Sequence, residues 1–217
     1  MPFQMTHLEI AYNIVKNTPG IKNPGDFILG SIAPDSVHLR EGYNSDMKKK
    51  SHLCFGTEKW GETKDNKKWL NDVYKFLEEN KNQENSDFIK GYCCHVITDI
   101  QNNIKFWTPF LLKNSIDLDS ETQSDYNKES YNMDYELYLI NKNKKTIWKM
   151  LKDAKAYNVT NIVVASDIEK MRNDILFNNF VNRKHHADVS LNKYITLPKM
   201  QEFILEESKY IKKLLYK

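Results

Sequence analysis

The sequence predicts an all-α fold, a single-domain helical bundle spanning residues 1–217, and three observations lead there. Apolar residues recur at spacings of three and four wherever any period is visible. Gly and Pro number 7 and 6, about half the usual share, which leaves few tight turns for a many-stranded sandwich or barrel. The one strand-like run, Val159 to Val164, has no partner run elsewhere in the chain.

The elements follow in order. From Thr6, the residues Leu8, Ile10, Ala11, Ile14 and Val15 mark a first helix, with Thr6 and Glu9 as a capping box and Asn17-Thr18-Pro19-Gly20 as its end. Asp26 to Ala33 is a short apolar segment stopped by Pro34, so Asp35 is presented at a turn or helix end. Residues 40–51 read as a polar loop. Lys67 to Glu79 is a helix, and Lys81 to Asn85 connects it to a long one that starts at Ser86 and runs toward Trp107. Residues 114–128 read as a loop, 129–156 and 167–181 as two amphipathic helices, and 198–217 as a final helix.

Net charge is +3, and the basic residues are 29 Lys against 3 Arg. This composition argues against a polyanion interface built on bidentate phosphate forks, so a nucleic-acid partner is not expected. No run approaches the roughly 20 apolar residues that span a bilayer, and the start has no basic segment followed by an apolar one. The expectation is a soluble, cytoplasmic chain. Cys54, Cys93 and Cys94 form no disulfide framework and are expected to be reduced.

His95 and Asp99 lie four apart on the stripe that carries Phe88, Tyr92 and Val96, so both face inward. An ionised carboxylate in a core needs a compensating partner: a hydrogen bond between His95 and Asp99 at the end of a buried helix is one, and a divalent metal is another. Asp35 after the apolar segment, His52 on a short connection, and His95 with Asp99 offer nitrogen and oxygen donors from three separate elements. His38 reads as a residue that orients Asp35, and His185-His186 as a solvated pair. Lys48 to Lys50 reads as a solvated run that would draw in an anion if it lay beside a metal. Cys93 and Cys94 read as small packing residues, and Trp60, Trp69, Trp107 and Trp148 as core or rim.

Thr6-His7, Gly30-Ser31-Ile32-Ala33-Pro34-Asp35, Ser51-His52 and Gly91-x-x-x-His95-x-x-x-Asp99 together resemble the bacterial zinc-dependent phospholipase C family over roughly residues 1–140. The resemblance implies an all-helical domain that holds zinc and hydrolyses a phosphodiester, with residues 141–217 as a C-terminal helical extension. It implies His7, Asp35, His52, His95 and Asp99 as metal ligands, with Asp35 also acting in catalysis. No histidine follows His95 before His185, so the family's later histidine ligands have no counterpart. Asp134 is the preferred substitute and Glu129 the second choice. One or two zinc ions, or another divalent metal, are therefore expected, with a small phosphoester or phospholipid head group as substrate. Rival readings are a nuclease or nucleotide phosphohydrolase, and a non-catalytic protein whose metal clamps helices together.

Overall fold

A computed structural model describes every residue except 1, 2, 57, 59, 115–119, 160–162, 184–187 and 217. Ten α-helices are seen among the described residues. They are α1 (Gln4–Lys16), α2 (Pro24–Gly30), α3 (Ser45–Ser51), α4 (Asn66–Asn80), α5 (Ser86–Asn102), α6 (Thr108–Lys113), α7 (Ser120–Ile140), α8 (Lys144–Asp153), α9 (Ala165–Asp174) and α10 (Leu197–Leu215). A 3-10 segment, Ala33–Leu39, follows α2, and a π turn, Asn103–Trp107, joins α5 to α6. Val159 and Val163 form an isolated antiparallel bridge, and no strand occurs among the described residues. The fold is all-α.

Helix α5 is the axle. Every residue from Asp87 to Asn102 except Lys90 is buried, as expected of a helix enclosed on all sides by α1, α2, α4 and α10. The tightest of these contacts is with α2, and two glycines make it possible. A Cβ on Gly30 would run into the carbonyl of Phe88, and one on Gly91 into the carbonyl of Phe27. Only hydrogen side chains let the two backbones approach so closely. That crossing brings the turn after α2 against the middle of α5.

The later helices brace this arrangement through buried carboxylates. Asp87 accepts the amides of Lys22 and Asn23 at 3.0 and 2.8 Å, fixing the entry to α2. Asp26 accepts the Lys155 amide at 2.8 Å and the Tyr157 hydroxyl at 2.9 Å, tying α2 to the segment after α8. Arg40 reaches Asp167 on α9 at 2.7 Å, and Lys105 reaches Glu207 on α10 at 2.6 Å.

Several boundaries differ from the sequence expectation. Residues 40–51 contain α3, whose N-cap Asn44 accepts the amides of Asp46 and Met47 at 3.1 and 3.0 Å. Helix α7 starts at Ser120 rather than after a loop ending at 128; its polar first turns are anchored by Tyr126, whose ring packs tilted on that of Phe110 with centroids 4.4 Å apart. The helix expected over 129–156 is two, broken where the Asn141 side chain accepts the Asn143 amide at 2.7 Å. Helix α1 begins at Gln4 without a capping box, and Thr6 is inside it, donating to Met200 Sδ at 3.7 Å. Its first turn finds its acceptor in a distant residue, Asp134.

Candidate metal centre

Four elements deliver side chains to one point. Helix α1 contributes His7, the 3-10 segment Asp35, the end of α3 His52, and α5 both His95 and Asp99. His7, His52, His95 and Asp99 are 0–1% exposed, and only the Asp35 side chain, at 12%, reaches solvent. His7, Asp35 and His95 form one group, and His52, His95 and Asp99 another, in which the ligand atoms lie within 4.8 Å of one another.

Local structure sets the orientation of each ring. His52 is the C-cap of α3, where Cys54 N–H returns to Lys49 O at 2.9 Å and Leu53 N–H to Lys50 O at 3.0 Å. These are the paired bonds of a Schellman cap, with Leu53 taking the left-handed position at φ 53° that usually falls to glycine. Trp69 Nε1 donates to His52 O at 2.7 Å and the Tyr92 hydroxyl donates to Ser51 O, pinning the cap from α4 and α5. His95 Nδ1 lies 2.7 Å from Ser31 O, and His52 Nδ1 lies 2.9 Å from Lys48 O. A carbonyl can only accept, so His95 Nδ1 carries the proton and its Nε2 presents a lone pair; His52 Nδ1, which also has the Ser51 hydroxyl at 2.9 Å, does the same when that hydroxyl donates to Lys48 O at 3.0 Å.

Those two lone pairs face each other: His95 Nε2 and His52 Nε2 are 3.2 Å apart. Two neutral acceptors gain nothing from that approach, whereas a shared cation would bind both. Burial holds the His95 and His52 pKa values down and takes His7 to about 3, so these imidazoles are in the neutral form that ligates metal. Both oxygens of Asp99 and both ring nitrogens of His7 have no hydrogen-bond partner among the described residues. His7 Nε2 is 3.5 Å from Asp99 Oδ1, and its ring is stacked on that of His95 at 3.7 Å. Asp99 Oδ2 is 3.3 Å from His52 Nε2 and 3.7 Å from His95 Nε2. Burial, reinforced by the charge of Asp35, raises the Asp99 pKa well above the carboxylate range. A dry carboxylate with empty oxygens among imidazole lone pairs is a donor set that fits a divalent cation, zinc in particular.

Asp35 is the exception within the cluster. Burial pushes its pKa up, yet the ammonium of Lys48, with His52 and His95, outweighs burial and holds it well below the usual range. Its Oδ1 is 3.3 Å from both Lys48 Nζ and His52 Nε2, and 3.7 Å from His38 Nδ1. Its Oδ2 is 4.0 Å from His95 Nε2. His38 therefore flanks Asp35 at longer than hydrogen-bond distance. Spacing did not reveal the Lys48–Asp35 pair; the lysine run Lys48 to Lys50 was its sole signal.

The structure gives the substitute ligands of α7 other work. Asp134 Oδ1 accepts the Met5 amide at 2.7 Å, capping α1 from outside, and Asp134 joins neither donor group. Glu129 accepts the amides of Lys193, Tyr194 and Ile195 at 2.7–3.1 Å. Cys93 and Cys94 are buried free thiols whose pKa values burial pushes upward, in keeping with packing residues. His185 and His186 lie outside the described residues.

Residues 6–101 match the family model described as zinc dependent phospholipase C. The matched segment begins at the first turn of α1, contains His7, Asp35, His52, His95 and Asp99, and ends two residues after Asp99, short of the 140 residues expected. No curated protein and no solved structure gives a significant match.

Proposed function

Starting from a chain whose residues 6–101 support membership of the zinc-dependent phospholipase C family, we propose that this protein is a zinc-dependent phosphodiester hydrolase. The observation that carries the reading is the pair of imidazole lone pairs 3.2 Å apart beside a buried Asp99 with both oxygens unpartnered. Asp35, His52, His95 and Asp99 would hold one zinc ion, and His7 with Asp99 would offer a weaker place for a second. Bound zinc supplies Lewis acidity, lowering the pKa of a coordinated water to about 7 and offsetting charge on phosphoryl oxygens.

The chain's own residues do the rest. Asp35, ionised and alone among the five donors in reaching solvent, would orient a water for attack by accepting its hydrogen bond. The Ser31 and Lys48 carbonyls hold His95 and His52 in the tautomer that leaves Nε2 free. The walls of Trp60 and Trp69 exclude bulk water on the His52 side, where Trp60 meets the His52 ring at 4.8 Å. The reading treats residues 1–217 as a single cytoplasmic domain acting on a small phosphoester or a phospholipid head group, with 141–217 bracing the metal-bearing part.

Asp35→Asn, His95→Ala and Asp99→Asn are each expected to abolish hydrolysis of a generic phosphodiester; full activity in a clean preparation of any one would remove this mechanism. A second reading, a metal that only clamps helices, is favoured by the near-complete burial of four of the donors, since closed zinc sites are commonly structural. Turnover of a choline phosphodiester, single-stranded DNA or a nucleotide separates the readings. Loss of thermal stability on metal removal without turnover of any of them selects the clamp.

A further inference from the structure

Lys48 stands where a positive charge needs explaining. Its side chain is 11% exposed, its Nζ lies 3.3 Å from Asp35 Oδ1, and it sits 5.2 Å from the centroid of the Trp60 ring. Its neighbours behave differently: Lys49 Nζ donates to Gly56 O at 2.7 Å, away from the donors, and Lys50 is exposed. The ammonium of Lys48 is thus held over the one donor that solvent reaches, between a carboxylate and an indole face.

Without metal, Asp35 balances Lys48. A divalent cation among the donors takes up the charge of Asp35 and of Asp99, and a second cation only adds positive charge. In either case the ammonium is left little exposed, without a counter-charge, at the mouth of the centre. A charge so little exposed in that position calls for a new anion. We propose that Lys48 is the anion anchor of the centre, releasing Asp35 to the metal and taking a phosphoryl oxygen of the substrate in its place. The inference rests on reading the donors as a zinc site. It adds that the chain's own ammonium is what holds the phosphoryl group beside the metal.

The test measures binding of inorganic phosphate by calorimetry to the full chain, zinc-loaded and zinc-free, together with zinc content. Wild type is expected to bind phosphate when zinc-loaded and at least about tenfold more weakly when zinc-free, because Asp35 then reclaims Lys48. Lys48→Met is expected to keep its zinc and lose about tenfold or more in phosphate affinity, whereas Lys48→Arg and Lys50→Met stay near wild type. An unchanged phosphate affinity in zinc-loaded Lys48→Met, or equal affinity in zinc-free and zinc-loaded wild type, would overturn the anchor. Turnover of a phosphodiester is recorded separately. Phosphate binding through Lys48 without turnover leaves the anchor standing and removes the hydrolase reading, while turnover with a Lys48-independent phosphate affinity does the reverse.

Discussion

Two sets of carboxylates divide this molecule. Asp99 on α5 is enclosed with both oxygens lacking a hydrogen-bond partner among the described residues. Asp134 on α7, also buried, has a backbone amide at 2.7 Å, and the half-buried Glu129, five residues earlier, gathers three. The residue types are nearly the same, and the difference lies in what the neighbouring chain offers. Where helix starts and loops supply amides, a carboxylate closes its hydrogen bonds and becomes an element of the scaffold. Where imidazole rings surround it and no amide is offered, its desolvation is left without hydrogen bonds to offset it.

Substitutions can break that contrast, and the largest effect is expected at Asp99. Asp99→Asn should lower zinc affinity by more than about 100-fold, read by metal quantification after dialysis, because it removes the charge at the centre of the donor set. Asp134→Asn should leave zinc content unchanged; a comparable loss there would return Asp134 to the ligand set.

Removing the metal comes next. Chelation should lower the melting temperature by on the order of 10 °C, since a site saturated about 1,000-fold above its Kd contributes about 4 kcal/mol. A melting curve indifferent to chelator would mean that the clustered donors hold no tightly bound ion. Gly91→Ala should cost about 1–3 kcal/mol by forcing α2 and α5 apart, and zinc affinity should fall with it because Ser31 and Asp35 move away from His95. Calorimetric unfolding and metal quantification on the same sample check the link.

The smallest effect sharpens the contrast through pH. Burial raises the Asp134 pKa to about 7, the Met5 amide opposing it. A carboxyl with a raised folded pKa gives its full stability below the unfolded value near 4 and loses it as pH climbs through about 7. Asp134→Asn keeps an oxygen for the Met5 amide and cannot ionise. It should therefore melt higher than wild type at pH 8, with the gap closing toward pH 4. A gap that widens toward acid would reverse the assigned cause.

The gathering of the candidate donors was partly legible in the sequence. His95 and Asp99 sit four apart on a buried helix, and a regular α-helix leaves their shared face no freedom. Asp35 was expected at a stop set by Pro34, but α2 ends at Gly30, and Pro34 and Asp35 both lie in the first turn of the following 3-10 segment. The start of α7 was not legible, because its polar first turns carry no periodic stripe and are held by Tyr126 against Phe110, a contact across the fold. Nor was α3, seven residues long and too short to show a period.

Sequence alone determined the helical class, the inward face of α5 and the chemical types of the donors, since each follows from local periodicity and from what a side chain can bind. Tertiary structure decided the rest. It assigned Asp134 and Glu129 to backbone amides, set Lys48 against Asp35, and turned Gly30 and Gly91 from ordinary small residues into the contact that brings α2 onto α5. The physical reason is that hydrogen-bond satisfaction and charge compensation are settled between segments distant along the chain, and neither leaves a spacing to read.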